Sequence, residues 1–213
     1  MILSNGITIN NKHSFRDFDL YISEKSIGLP EKEIITDTVP FMSGFYDFSN
    51  ILGGSVFKER VLEYTFDLLS TATKSLEELK TDIAMWLMNI HNAEIYDDEL
   101  EDFHFVGSFE SCEWTEDDEY GELKVTFRCQ PFKIANEETE IILEIGTNTI
   151  DYDGLPVNLS VISTGSTSIT INTTTVNVGT TKTTLSVPLT NVGLEIGYSG
   201  EETVTLSYRK EVI

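Results

Sequence analysis

A side-chain period of two runs through most of this chain, and a helical period appears in one stretch only. Between Arg60 and Leu69, Leu62, Tyr64, Phe66 and Leu68 fall on one face and Glu63, Thr65 and Asp67 on the other. That alternation is a strand with one face in a core and one in water. Gly6–Ile9, Asp17–Ile22 and Lys32–Thr36 carry shorter versions of the pattern between turn residues, and each is expected to be a strand. The helical stretch has Leu76, Leu79, Ile83, Trp86, Leu87 and Ile90 at three- and four-residue steps, with Ser75 and Glu78 spaced as a capping box. It predicts a helix over Ser75–Ile90, with Trp86 in its buried stripe.

Beyond the acidic run Asp97–Asp102, Phe103–Val106 reads as a strand, followed by a hairpin. Its arms are expected over Phe109–Thr115 and Glu122–Phe132, around the turn residues 116–121. Val125, Phe127 and Cys129 share one face, joined by Cys112 and Trp114. Composition changes after Lys133. Both tryptophans and all 12 phenylalanines precede that point, whereas residues 138–213 hold 16 threonines and only three bases against nine acids. Threonine alternating with Val, Ile and Leu favours strands, here expected over 141–145, 157–162, 168–171, 174–178, 183–187, 192–196 and 203–208. Seven short strands with Gly-containing turns suggest a sandwich. Two domains are therefore expected, 1–135 and 136–213.

The 36 acids and 14 bases leave a net charge of −22, which disfavours sequence-specific or tight binding to nucleic-acid phosphates. The N-terminus lacks a basic-then-apolar leader, and no window is apolar enough to span a bilayer. A soluble, unsecreted protein without membrane attachment is the expectation. Gly53-Gly54-Ser55-Val56-Phe57-Lys58 lacks phosphate-loop spacing, so it reads as a turn before a strand. The acidic runs Asp97–Asp102 and Glu116–Glu119, and Asp151-x-Asp153-Gly154, do not match a calcium loop and read as solvated loops. His13, His91 and His104 have no metal-site spacing, and no Ser or Cys sits in a nucleophile elbow. The expectation is a non-enzymatic protein with no cofactor, and with Cys112 and Cys129 as buried free thiols.

An ordered set of features runs along the chain: Val39-Pro40, Gly44, Asp47-Phe48, Glu59-Arg60, Tyr64, Phe66, Trp86-Leu87, Asp97-Asp98 and Phe127–Phe132. Together they span about residues 12–133, and the ending VTLSYRKEVI looks like a closing strand. This set resembles the distal tail protein (Dit) family of long, non-contractile-tailed bacteriophages. The resemblance implies a mainly β chain: an α+β N-terminal β-sandwich with one α-helix and a β-hairpin, then a small galectin-like β-sandwich. It also implies a homohexameric ring at the virion tail tip, assembled in the host cytoplasm. That ring would join the tail tube protein to the tail-associated baseplate hub and can hold receptor-binding proteins.

On this reading the stretch after Val39 is assembly architecture. Pro40, Phe41, Gly44, Phe45, Tyr46 and Phe48 are the candidate subunit-interface residues, because aromatics gathered outside a helical or strand period form an apolar patch. The alternative is a glycan-binding, lectin-like adhesion module. It would stack sugars on exposed aromatics, and the C-terminal part offers only Tyr152, Tyr198 and Tyr208 for that purpose.

Overall fold

The computed structural model describes residues 5–38, 40–41, 43–49, 56–69, 75–117 and 120–213. Val39, Gly53, Gly54, Ser55, Asp118 and Glu119, on which parts of the sequence reading fall, lie outside the described residues. The chain is mainly β and divides into two units, Met1–Lys133 with Ile213, and Ile134–Val212.

In order, the N-terminal unit contains β1 (Ile7–Ile9), β2 (Lys12–His13), α1 (Ser14–Phe18), β3 (Tyr21–Ile27), β4 (Thr36–Asp37), β5 (Tyr46–Asp47) and β6 (Arg60–Leu69). It continues with α2 (Leu76–Leu87), β7 (Ala93–Asp97), β8 (Phe103–Asp117) and β9 (Tyr120–Cys129). One antiparallel sheet runs β2-β1-β7-β8-β9-β6-β3. The alternation predicted for β6 is realised, since Leu62, Tyr64, Phe66 and Leu68 are all fully buried. They meet Leu123, Val125 and Phe127 of β9, Phe105 of β8, and Leu79, Ile83, Trp86 and Leu87 of α2 in one core.

α2 begins where the capping box places it. The Ser75 hydroxyl accepts from Glu78 N, and the Glu78 carboxylate accepts from Ser75 N. The helix closes at Leu87, three residues short of the predicted end, although Ile90 remains in the core.

Several expectations for this unit need correction. Lys32–Thr36 is not a strand: Lys32 makes an isolated bridge to Phe57, and only the two-residue β4 follows at Thr36. Asp17–Ile22 is not one strand: Asp17 and Phe18 belong to a second helix, α1, and the strand starts at Tyr21 after the chain reverses through Asp19 at φ 55°. Phe18 and Leu20 are both buried, so their alternation mimicked a strand. The cap of α1 also escapes the usual residue preferences. His13 Nδ1 accepts from Phe15 N and Arg16 N, both at 3.1 Å, which fixes the proton on Nε2, where it donates to Asp98 Oδ2 at 2.9 Å. The predicted strands Phe103–Val106 and Phe109–Thr115 are a single strand, β8, with a register shift between Phe109 and Ser111. Finally, Cys112 is only partly buried.

The C-terminal unit starts within β10 (Lys133–Ala135). It continues with β11 (Thr139–Ile142), β12 (Gly146–Ile150), β13 (Val157–Ser163), β14 (Thr167–Ile171), β15 (Thr174–Val178), β16 (Thr183–Leu189), β17 (Leu194–Tyr198), β18 (Val204–Tyr208) and β19 (Glu211–Val212). Two four-stranded antiparallel sheets, β11-β18-β13-β16 and β12-β17-β14-β15, enclose a second core that includes Leu159, Val161, Leu189, Ile196 and Leu206. This is the expected sandwich with one strand more. β12, Gly-Thr-Asn-Thr-Ile, has a single apolar side chain and escaped the periodicity reading; it pairs as an edge strand with β17. The strand expected over 192–196 begins at Leu194, and Val192 is exposed in the preceding turn.

The thiols sit on neighbouring strands but cannot reach each other. Cys112 is opposite Val125, four residues along β9 from Cys129, or about 13 Å at strand rise, and a disulfide tolerates no more than about 7 Å between Cα atoms. Cys129 lies over Gly107, where an added Cβ would come within 2.3 Å of its sulfur, and burial pushes its thiol up to about 12. In denaturant without reductant, a thiol reagent is expected to titrate both cysteines. In the folded protein Cys129 is expected to stay silent; its ready reaction there would show that the core around Gly107 is open.

Candidate functional site

The β3–β6 pair does not end at the sheet. Gly28 N donates to Val61 O at 3.1 Å, Lys58 N to Glu31 O at 2.8 Å, and Glu33 N to Val56 O at 2.8 Å, with Lys32 bridged to Phe57. Further out the ladder resumes as Thr36 opposite Asp47 and Asp37 opposite Tyr46, with Phe48 N donating to Ile35 O at 2.7 Å. The described residues 28–38, 40–41, 43–49 and 56–58 thus belong to a two-stranded arm continuing β3 and β6 beyond the core. Ser49 is its internal clasp. It is buried, its hydroxyl accepts from Ile35 N at 2.9 Å, and its N–H donates to Asp47 Oδ1 at 2.8 Å. Bonds from the Ser49 hydroxyl and then its N–H hold the Asp47 carboxyl below its ordinary range.

Every described residue from Glu31 to Phe48 is exposed. Leu29, Ile34, Ile35, Phe41, Phe45, Tyr46, Phe48 and Val56 all leave large apolar side chains in solvent. Of the 12 phenylalanines, Phe41, Phe45 and Phe48 are the exposed ones; the other nine are buried or partly buried. All six candidate residues lie on the arm. Pro40, Phe41 and Gly44 form its turn, with φ of 69° at Phe41 and 112° at Gly44, a backbone that suits glycine at the second position. Phe45, Tyr46 and Phe48 lie on the returning strand, where the Tyr46 and Phe48 rings are 6.2 Å apart. Leu29, Ile34, Ile35 and Val56 were missed by the sequence reading, because an Ile-Ile pair in a short strand reads as core until its burial is known.

The root of the arm is anchored by residues far apart in sequence. Asp97 departs from the solvated loop expected for Asp97–Asp102: it ends β7 and is buried, accepting from Tyr64 Oη at 3.0 Å, from Lys25 Nζ at 3.0 and 3.1 Å, and from Glu99 N at 2.9 Å. Lys25 is on β3 and Tyr64 on β6, so this carboxylate draws the β3–β6 edge onto β7 and curls the sheet over its core. Burial pushes the Tyr64 phenol far up, and the neighbouring Asp97 carboxylate adds to the rise. Burial alone would lower the Lys25 ammonium, but hydrogen bonds to Glu99 and Asp97 outweigh it and raise it above 10.5.

Arg60, at the junction of arm and β6, is also buried, with its guanidinium 5.3 Å from the Phe105 ring centre. Among the described residues its Nε and Nη2 have no hydrogen-bond partner, and burial lowers its basicity. Because a buried cation with open donors is costly, Arg60→Met is expected to be neutral or to stabilise by about 1 kcal/mol. Thermal unfolding of the two proteins checks this, and a large loss would show that Arg60 is held by a group not seen around it.

On the outer face of β6, β9 and β8 the bases are matched by acids. Lys124 pairs with Glu63 at 3.2 Å, and Arg128 pairs with Glu59 at 3.3 Å and with Glu110. Among the described residues the surface clefts are open ones, including one of about 550 Å³ along Thr167, Ser168 and Asn177. Another of about 560 Å³ lies among Thr149, Asn172, Pro188, Val192 and Glu195, and one of about 520 Å³ runs along Asn5 and Asp98–Phe103. Among the described residues no three His, Cys, Asp or Glu side chains gather as metal ligands would, and no helix is long and apolar enough to cross a membrane.

No family model matches the sequence, and no curated protein matches it either. The solved structures do provide a match. The crystal structure of the SPP1 Dit (gp 19.1) protein, described as a paradigm of the hub adsorption apparatus in phages infecting Gram-positive hosts, superposes with a TM-score of 0.75 over 98% of this chain and 99% of that one, at 13% identity. At that identity the likeness concerns the fold, and it spans both units. This chain has the fold of a phage Dit protein.

Proposed function

We propose that the protein is a structural subunit of a phage or prophage tail tip, a hub that closes into a homohexameric ring and carries no catalytic site. The observation that carries this reading is the arm, whose aromatic row no part of the described chain covers. Taking 150–250 Å² for a buried aromatic ring, its exposed apolar side chains amount to roughly 900 Å², about one side of a standard protein–protein interface. A protein that stayed monomeric would leave this surface as an aggregation liability.

In this reading residues 1–135 form the ring and residues 136–213 the outer sandwich. The ring stands between the tail tube protein and the baseplate hub, with receptor-binding proteins as further partners, in the virion tail after assembly in the host cytoplasm. The likeness to a Dit hub protein supports this placement. The matched ion pairs and surplus acids on the β6-β9-β8 face suit a channel wall, because negative walls repel phosphates and avoid the counterion release that makes DNA adhere.

The lectin reading needs a stacking platform in the C-terminal unit. Tyr152 and Tyr198 are buried, and Tyr208 is half-buried against the Tyr152 ring at 5.4 Å. Tyr198 further donates its hydroxyl to Glu202 O. The three side chains that could stack on a sugar are thus occupied in the sandwich itself.

Because the N-terminal unit has its own core and carries the arm, a chain ending at Ile134 is expected to assemble as the full-length protein does. Light scattering reads the mass directly. A folded but monomeric shortened chain would move the interface to the C-terminal unit.

A further inference from the structure

Resting on the ring reading, we infer that the tip of the arm, Phe41 with Phe45, docks on the Met85–Met88 face of α2 in the neighbouring copy. Two arms facing each other would make an isologous contact, which closes as a dimer. A ring of more than two copies needs two different surfaces, the second able to receive the first. Outside the arm, the N-terminal unit exposes few large apolar side chains among its described residues: Tyr21 at 42%, Val61 at 43%, Met85 at 62%, Met88 at 74%, and Ile213 at 47%.

Tyr21 already packs edge-on against Phe15, with ring centres 4.7 Å apart. Val61 lies between Glu59 and Glu63 on the ion-paired strand face. Met85 and Met88 are one helical turn apart and continue a solvent-facing stripe that is polar at Glu78, Thr81 and Asp82. A solvated helix would carry charge at the last two positions of that stripe. Methionine there provides an adaptable surface whose sulfur makes favourable contacts with aromatic edges. Phe41 and Phe45 together expose on the order of 350 Å², enough to cover such a pair and to let the remainder of the arm lie along the helix flank.

The test replaces Phe41 with p-benzoylphenylalanine in the full-length chain, irradiates the assembled protein, and locates the adduct by peptide mass spectrometry. The expected product is a covalent dimer with the adduct on the peptide of a second copy that contains Met85 and Met88. In parallel, Met85→Asp with Met88→Asp, both exposed and so compatible with folding, is expected to raise the concentration needed for assembly at least tenfold with an unchanged circular dichroism spectrum. A ring that cross-links elsewhere, or that the double variant leaves intact, overturns the docking site and preserves the ring. A protein that neither assembles nor cross-links between copies overturns both.

Discussion

Phe41→Asp combined with Phe45→Asp is expected to turn the assembled protein into folded monomers. Both side chains are in solvent at the tip of the arm, so neither supports the core and the variant is expected to keep its thermal unfolding midpoint. Burying one phenylalanine is worth about 1.5 to 3 kcal/mol, so two per contact contribute roughly 3 to 6 kcal/mol. A carboxylate in either place adds the cost of burying an unpaired charge. Each contact should weaken by at least two to four orders of magnitude, about 1.4 kcal/mol being tenfold. In a ring every subunit makes the contact twice, so the loss acts at every joint. Light scattering before and after substitution is the measurement. An unchanged mass would mean that the arm is not the assembling surface, whatever the ring's composition.

The second large effect is internal to one chain. Asp97→Ala is expected to destabilise the N-terminal unit by about 3 kcal/mol, because it leaves the buried Tyr64 hydroxyl without its acceptor and removes the carboxylate that Lys25 and Glu99 N share. The midpoint should fall by roughly 10 °C. Tyr64→Phe, which removes one of those bonds and leaves the carboxylate its other partners, should cost about 1.5 kcal/mol. The pH dependence has a definite sign. Lys25 has a raised value in the folded state, so its contribution is fully present below its unfolded value of 10.5 and is lost as the pH rises through the folded value. The native protein should therefore lose stability above about pH 10.5 by a term that Asp97→Ala reduces. A variant as stable as the native chain, with the same alkaline limb, would show that the carboxylate does not hold β3 to β7.

The parts of the fold that could be read from sequence are those where one local pattern decides the outcome. β6 announces itself by strict alternation and α2 by its capping box and stripe. The C-terminal strands follow from threonine alternating with aliphatic side chains. The parts that could not be read depend on partners distant in sequence. α1 is capped by a histidine whose other nitrogen needs Asp98, so the usual cap residues give no sign of it. β12 is held by pairing to β17 and has almost no apolar pattern of its own. The Asp97 cluster joins three strands, and none of Lys25, Tyr64 or Asp97 marks the others.

The candidate surface was legible in part for the same reason. The aromatic cluster from Phe41 to Phe48 stands out because it lacks a period, whereas Ile34 and Ile35 resemble core residues in a one-dimensional pattern. Only the ladder that carries residues 31–48 away from the sheet shows them in solvent. What the sequence resemblance implied about fold is matched by the solved Dit structure over nearly the whole chain.

Electron micrographs of the purified full-length protein show directly whether the chain closes into a ring through its N-terminal unit. Ring closure through this unit predicts six-fold particles with a central opening. Single compact particles, or open filaments in place of closed rings, at concentrations where light scattering finds one species would contradict it.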